Sequence, residues 1–198
     1  MKLDSTHPFE IIKELASRLA DDFFFELSIY EYQPQSILDA RQTIKIKAID
    51  FNQALIENKI NKLAPNKELA FHSILRHNKK KYHIPMIDFK APESFIRNSM
   101  SSLQNVLPKK IFNELVFYNS GRSCHAYSLN IINHAEWIDF MGRLLLVSHP
   151  HEQQIIDTRW IGHRLMSGFS SLRWSANTDK YLALPKRIAM HSTFGEKF

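Results

Sequence analysis

The spacing of apolar residues switches repeatedly between two periods, and this switching limits the fold more than any other feature. Strand side chains alternate with period two, whereas a helical stripe returns every three to four residues. Ile44, Ile46 and Ala48 alternate with Lys45 and Lys47, which predicts a half-buried strand with a basic outer face. Phe9, Ile12, Ala16, Leu19 and Phe23 follow a helical stripe instead, with Ser5 or Thr6 as cap and Pro8 in the first turn. Phe23 to Tyr32 reads as a strand. Asp50 with Gln53 resembles a capping box for a helix to about Leu63. Glu68 to Leu75 and Tyr82 to Phe89 read as strands joined by the basic turn Arg76 to Lys81. A helix from Pro92 to about Leu107 comes next, then strands Leu115 to Asn119 and His125 to Ile132. Asn133 with Glu136 caps a helix from Ala135 to Val147. A short strand, Ile155 to Asp157, leads into a helix from Trp160 to Met166, and Leu172 to Ile188 reads as a hairpin or irregular strand pair. Mixed strands and helices without a repeat place the chain in the α+β class.

The 198 residues suffice for one domain with its own core. The expected organisation is an N-terminal lobe over 1–67, a core over 68–188 and a tail over 189–198. Cys124 is the only cysteine, so an internal disulfide and a cysteine-rich zinc site are both excluded. A lone cysteine fits a reducing compartment, and a cytoplasmic location is expected. No apolar run approaches the ~20 residues of a membrane span, and the start MKLDSTHPFEII lacks the pattern of a secretory signal. The 26 Lys and Arg against 20 Asp and Glu leave a net charge of +6, which favours an anionic partner such as nucleic acid.

Three segments put polar groups where a strand ends, which is where sites are usually built. In the first, the strand Ile84 to Lys90 delivers Asp88 and Lys90 to one face. In the second, the turn Ser120-Gly121-Arg122 is followed by Ser123-Cys124-His125. Its backbone N–H groups, two hydroxyls and the Arg122 fork suit a phosphate, and His125 shares a face with Ser123. Cys124 faces the other way, so a thiol–imidazole pair is not expected. In the third, Asp157 is followed by Arg159, His163 and Arg164, then by a polar loop holding Arg173, Asn177 and Lys180. Basic residues interleaved with aromatics suit a triphosphate or a strand backbone.

The order of these segments resembles the catalytic core of the archaeo-eukaryotic primase superfamily, the primase–polymerases. Ser120-Gly121-Arg122 to His125 looks like the family's SGR…H segment. Asp157 through His163-Arg164 to Asn177-Thr178-Asp179-Lys180 looks like its third motif and the loop after it. The resemblance spans about residues 68 to 188. It implies an RRM-like antiparallel sheet flanked by helices, and a nucleotidyltransferase that makes or extends primers by metal-assisted phosphoryl transfer, with a role in DNA replication. It implies Asp88 and Asp157 as ligands of Mg²⁺ or Mn²⁺ and as catalytic groups with His125. It implies Ser120, Arg122, Ser123, His125, His163, Arg164, Arg173 and Lys90 as nucleotide contacts. The implied partners are a nucleoside triphosphate, single-stranded DNA or RNA, and a protein that supplies a helicase or accessory domain.

Lys90 departs from the family pattern, because it stands where the second carboxylate of an Asp-x-Asp or Asp-x-Glu strand belongs. A lysine there does not ligate a divalent cation. Either one metal suffices, or an acid arrives from elsewhere, or Lys90 itself neutralises phosphate. In the remaining alternative, transfer is lost and the chain is a binding module in a larger replication or defence complex.

Overall fold

The structure is a computed structural model that describes residues 2–181 and 183–189. Helix α1 (Phe9–Ala16) precedes strands β1 (Phe24–Tyr30) and β2 (Arg41–Lys47). A 3₁₀ turn and helix α2 (Gln53–Asn61) lead to β3 (Glu68–His77), β4 (Lys80–His83) and β5 (Met86–Asp88). Three short helices come next: α3 (Glu93–Asn98), α4 (Met100–Val106) and α5 (Lys109–Phe112). They lead to β6 (Leu115–Asn119), β7 (Cys124–Ser128) and β8 (Ile132–Asn133). Helices α6 (His134–Leu144) and α7 (Thr158–Ser167), then β9 (Ser171–Arg173) and β10 (Lys186–Ile188), complete the order.

The architecture is α+β, and its antiparallel pairing is shared between two sheets. One runs β2-β1-β3-β4-β8 with β9 also paired to β3, and the other runs β10-β6-β7-β5. Pro85 marks the passage between them. It has no N–H for a ladder, and its carbonyl accepts from Ser128 N at 3.0 Å while Ile84 N still donates to Ser73 O. The expected strand Tyr82 to Phe89 is therefore two strands, β4 and β5, in different sheets.

The buried apolar residues fall into two clusters. Phe9, Ile12, Phe25, Ile56, Phe71 and Trp174 form the core beneath α1, α2 and the first sheet. Residues of the expected 1–67 lobe thus pack directly on β3 and Trp174. Ile96, Leu103, Phe117, Trp137, Phe140 and Ile161 form the core between the second sheet and the later helices. Trp174 ties the two sheets: it stacks on Phe71 of β3 with ring centroids 4.5 Å apart and donates to Tyr127 Oη of β7 at 3.1 Å.

Several boundaries differ from the sequence reading for local reasons. Helix α1 ends at Ala16, and Phe23 instead stacks on His77 beside β1, at 4.2 Å. Asn52, not Asp50, caps α2 by accepting from Leu55 N at 3.0 Å. The helix expected from Pro92 to Leu107 breaks at Ser99, whose hydroxyl donates back to the Phe95 carbonyl at 2.9 Å. Residues 172–188 form no hairpin: β9 joins β3 and β10 joins β6. Buried Glu68 holds the intervening chain away by accepting from Asn177 N, Thr178 N and Thr178 Oγ1, each at 2.9 Å, and from Ser175 Oγ. The capping box of Asn133 and Glu136 stands as expected. The expected tail lies, from 190 onward, outside the described residues. Among the described residues no helix is long and apolar enough to cross a membrane.

Candidate functional site

Period-two geometry brings the first acid to the histidine. In the β5–β7 register Asp88 lies opposite His125, and opposed antiparallel residues share one face. His125 Nε2 sits 3.7 Å from Asp88 Oδ1. Neighbouring Cys124 is buried in the apolar layer on the other side. The chain continues from Asp88 into a bridge between Phe89 and Ile156, so Asp157 N donates to the Asp88 carbonyl at 3.0 Å. Asp157 is also the N-cap of α7, accepting from Trp160 N at 3.0 Å. Two acids distant in the chain are thereby set side by side, with the imidazole next to one of them.

Burial, and secondly the nearby Asp157 carboxylate, push the Asp88 carboxyl up to about 8, although Arg173 and Arg164 pull it down. Its side chain keeps 25% of its surface accessible, so exchange with solvent or a ligand stays open. Burial, then the Arg173 charge, lowers His125 to about 3. Both shifts act against an ion pair between His125 and Asp88. The buried Nδ1 of His125 has no hydrogen-bond partner among the described residues.

These groups line a cleft of about 440 Å³ between the two sheets and α7, within the ~300–1,000 Å³ span of small-molecule sites. Every expected site residue borders it: Asp88, Lys90, Ser120, Arg122, Ser123, His125, Asp157, His163, Arg164 and Arg173. Their circumstances differ. Lys90 is exposed and donates to Gln154 Oε1 at 2.9 Å. Ser120 is buried and donates to the Ser123 carbonyl at 3.1 Å, tightening the turn in which Gly121 takes φ +113°. Arg122 is exposed and makes no hydrogen bond or ion pair among the described residues. Arg173 is committed: it donates to the carbonyls of Ser120 at 2.7 Å, Ala183 at 3.1 Å and Ser175, with its plane 4.1 Å from the Tyr181 ring. Asn177 lies away from the cleft, because its amide donates to the carbonyls of Ala64 and Lys67, both at 3.0 Å.

The family model described as AEP-like, archaeo-eukaryotic primase 1D-like, matches residues 47–186. The chain belongs to this primase family. No curated protein and no solved structure matches it. All ten expected cleft residues fall inside the matched range.

Part of the primase cleft lies outside that range. Tyr30, Asp39 and Arg41 also line the cleft. Sequence reasoning missed them because Asp39-Ala40-Arg41 carries no periodic signal and sits in an ordinary polar connection. Among the described residues, no cluster of three His, Cys, Asp or Glu side chains forms a ready-made metal site. Among the described residues the nearby acids are paired elsewhere: Glu93 with Arg97, Glu31 with Lys67, and Asp39 with Arg41 and Arg164.

Proposed function

We propose that the cleft binds a nucleoside triphosphate and that the chain transfers its nucleotide to a primer or initiating strand on a single-stranded template. The observation that carries this reading is the main-chain hydrogen bond between Asp157 and Asp88, which sets two acidic residues side by side with His125 next to Asp88. A primase-family chain has a use for that arrangement, and a surface acid pair does not.

Mg²⁺ or Mn²⁺, when bound, neutralises the triphosphate and the attacking oxygen. Asp88 and Asp157 would hold it. Burial first, and the Asp157 charge second, raise the proton affinity of Asp88; paired oxygen ligands of this kind fit a hard divalent ion. Such an ion takes one or two carboxylates and completes its shell with water and substrate phosphate. Arg122, whose donors are free among the described residues, and the Ser123 hydroxyl are placed to hold phosphate oxygens. His163, half-buried on the cleft wall, extends the same rim. His125 is neutral and so offers an N–H rather than a full positive charge.

A second reading is favoured by Lys90, which occupies the second-acid position. On that reading transfer is lost, and the chain binds nucleotide or single-stranded nucleic acid as a subunit of a replication or defence complex, its partner supplying a helicase or accessory domain.

Incorporation of labelled nucleotide on a single-stranded template with Mg²⁺ or Mn²⁺ separates the two. Transfer by the wild type, falling on the order of 100-fold in Asp88→Asn and Asp157→Asn, is the expected result. Wild-type triphosphate binding without incorporation selects the second reading. Incorporation untouched by either substitution removes the acids from the site.

A further inference from the structure

The connection between β1 and β2, residues 31–40, forms one wall of the cleft and lies before the matched range 47–186. Its Asp39 carboxylate meets two guanidinium groups. Arg41 Nε donates to its two oxygens at 2.8 and 2.9 Å, and Arg164 Nη2 donates to Oδ2. Both arginines are held from behind. Arg41 Nη1 donates to Ser28 Oγ at 3.1 Å, and its plane lies 4.3 Å from the Tyr30 ring. Arg164 Nη1 donates to Ser171 Oγ at 2.6 Å. The Arg164 side chain is only 4% exposed, and its buried Nε has no partner among the described residues. One carboxylate between two guanidiniums leaves net positive charge and an unused donor in a site largely withdrawn from water.

We infer that Arg41 and Arg164 form a phosphate subsite whose internal occupant is Asp39, which the terminal phosphate of a nucleoside triphosphate displaces. This rests on reading the cleft as a triphosphate site. Two guanidinium forks match a phosphate as well as they match a carboxylate. A terminal phosphate carries nearly two charges and three acceptor oxygens, against one charge and two oxygens for Asp39. A phosphodiester in a single strand carries one charge and two free oxygens, and so gains nothing over Asp39. The subsite shares the chamber of the acids, since the Arg164 charge acts on Asp88. The connection is lightly anchored. Ile37 and Leu38 are 73% and 81% exposed, and its ties to other segments include Lys180 and Arg159 donating to the carbonyls of Tyr32 and Ser36, Lys67 pairing with Glu31, and the Tyr32 ring 6.0 Å from that of Tyr181. Few buried contacts oppose its displacement.

Calorimetric titration of the full chain with inorganic tripolyphosphate, a nucleoside triphosphate and a single-stranded oligonucleotide, at one ionic strength, tests this. Asp39→Asn is expected to bind tripolyphosphate and the triphosphate about tenfold tighter, the scale of one charge-assisted hydrogen bond. Oligonucleotide affinity is expected to stay within about twofold, and adding Arg41→Gln is expected to abolish the gain. A folded Asp39→Asn protein with unchanged or weaker tripolyphosphate affinity overturns the inference, and so does an equal gain for the oligonucleotide. Should Asp39→Asn fail to fold, Arg41→Gln alone must weaken tripolyphosphate about tenfold; unchanged affinity is equally fatal. A tripolyphosphate gain in a chain that incorporates no nucleotide keeps the subsite and removes the transferase reading. Incorporation by the wild type without that gain does the reverse.

Discussion

Asp157 carries two interactions at once, an N-cap on α7 through its side chain and a link to Asp88 through its backbone. Asparagine preserves the cap acceptor and removes the charge, whereas alanine removes both. Urea unfolding should therefore place Asp157→Asn within a few tenths of a kcal/mol of wild type and Asp157→Ala about 1 kcal/mol below it. A loss that is equal for both substitutions would show that the cap adds nothing. His7 and His83 behave differently because they are buried neutral. Burial lowers His7 to about 4, and burial together with His134 lowers His83 to about 3. Below the ordinary histidine value of about 6.5 the unfolded chain takes up protons that the native chain refuses. Stability is full above that value and declines as pH falls, by about 1–2 kcal/mol per histidine at pH 5. Urea midpoints at pH 7.5 and pH 5 should show the loss, and His83→Gln should flatten it.

At the scale of elements, Glu68 at the start of β3 governs the course of the chain after β9. Its carboxylate gathers Ser175, Asn177 and Thr178, and this places Lys180 and Tyr181 at the cleft mouth. Glu68→Ala leaves two backbone donors unpaired near the core, a cost of about 3 kcal/mol. Thermal unfolding should register that cost, and triphosphate affinity should fall with it. An unchanged melting temperature would mean that the 175–178 segment finds other partners. The capping box at α6 and the β6 boundaries were legible in the sequence because caps and period two are local signals. The split at Pro85 was not, since an apolar run with one proline reads equally as a bent strand or as two strands. Asn133→Ala should cost about 1 kcal/mol in urea unfolding.

For the molecule as a whole, Trp174 joins the two sheets through Phe71 and Tyr127, so truncation there reaches both. Trp174→Ala should lower stability by about 3–5 kcal/mol, read from denaturant midpoints; a loss below 1 kcal/mol would place the junction elsewhere. The surplus of +6 bears on association rather than on folding. Binding of single-stranded DNA should weaken linearly on a log–log plot against salt, with a slope set by the phosphates neutralised. Binding indifferent to salt would remove nucleic acid from the partners.

The amino-acid order alone was enough to single out the two aspartates, the Ser-x-His pair and most of the basic residues that the fold gathers on one cleft, because strand-end residues are adjacent in sequence. It was also enough for the alternation that sends Cys124 into the core and His125 toward the cleft. Pairing at long range needed three dimensions. That Arg173 donates to three backbone carbonyls was not legible in the sequence. Asp39 and Arg41 looked like nothing until the chain folded them against Arg164, over a hundred positions later. A side chain's type is local information, but its partner is settled only when sheets and helices bring distant segments into contact.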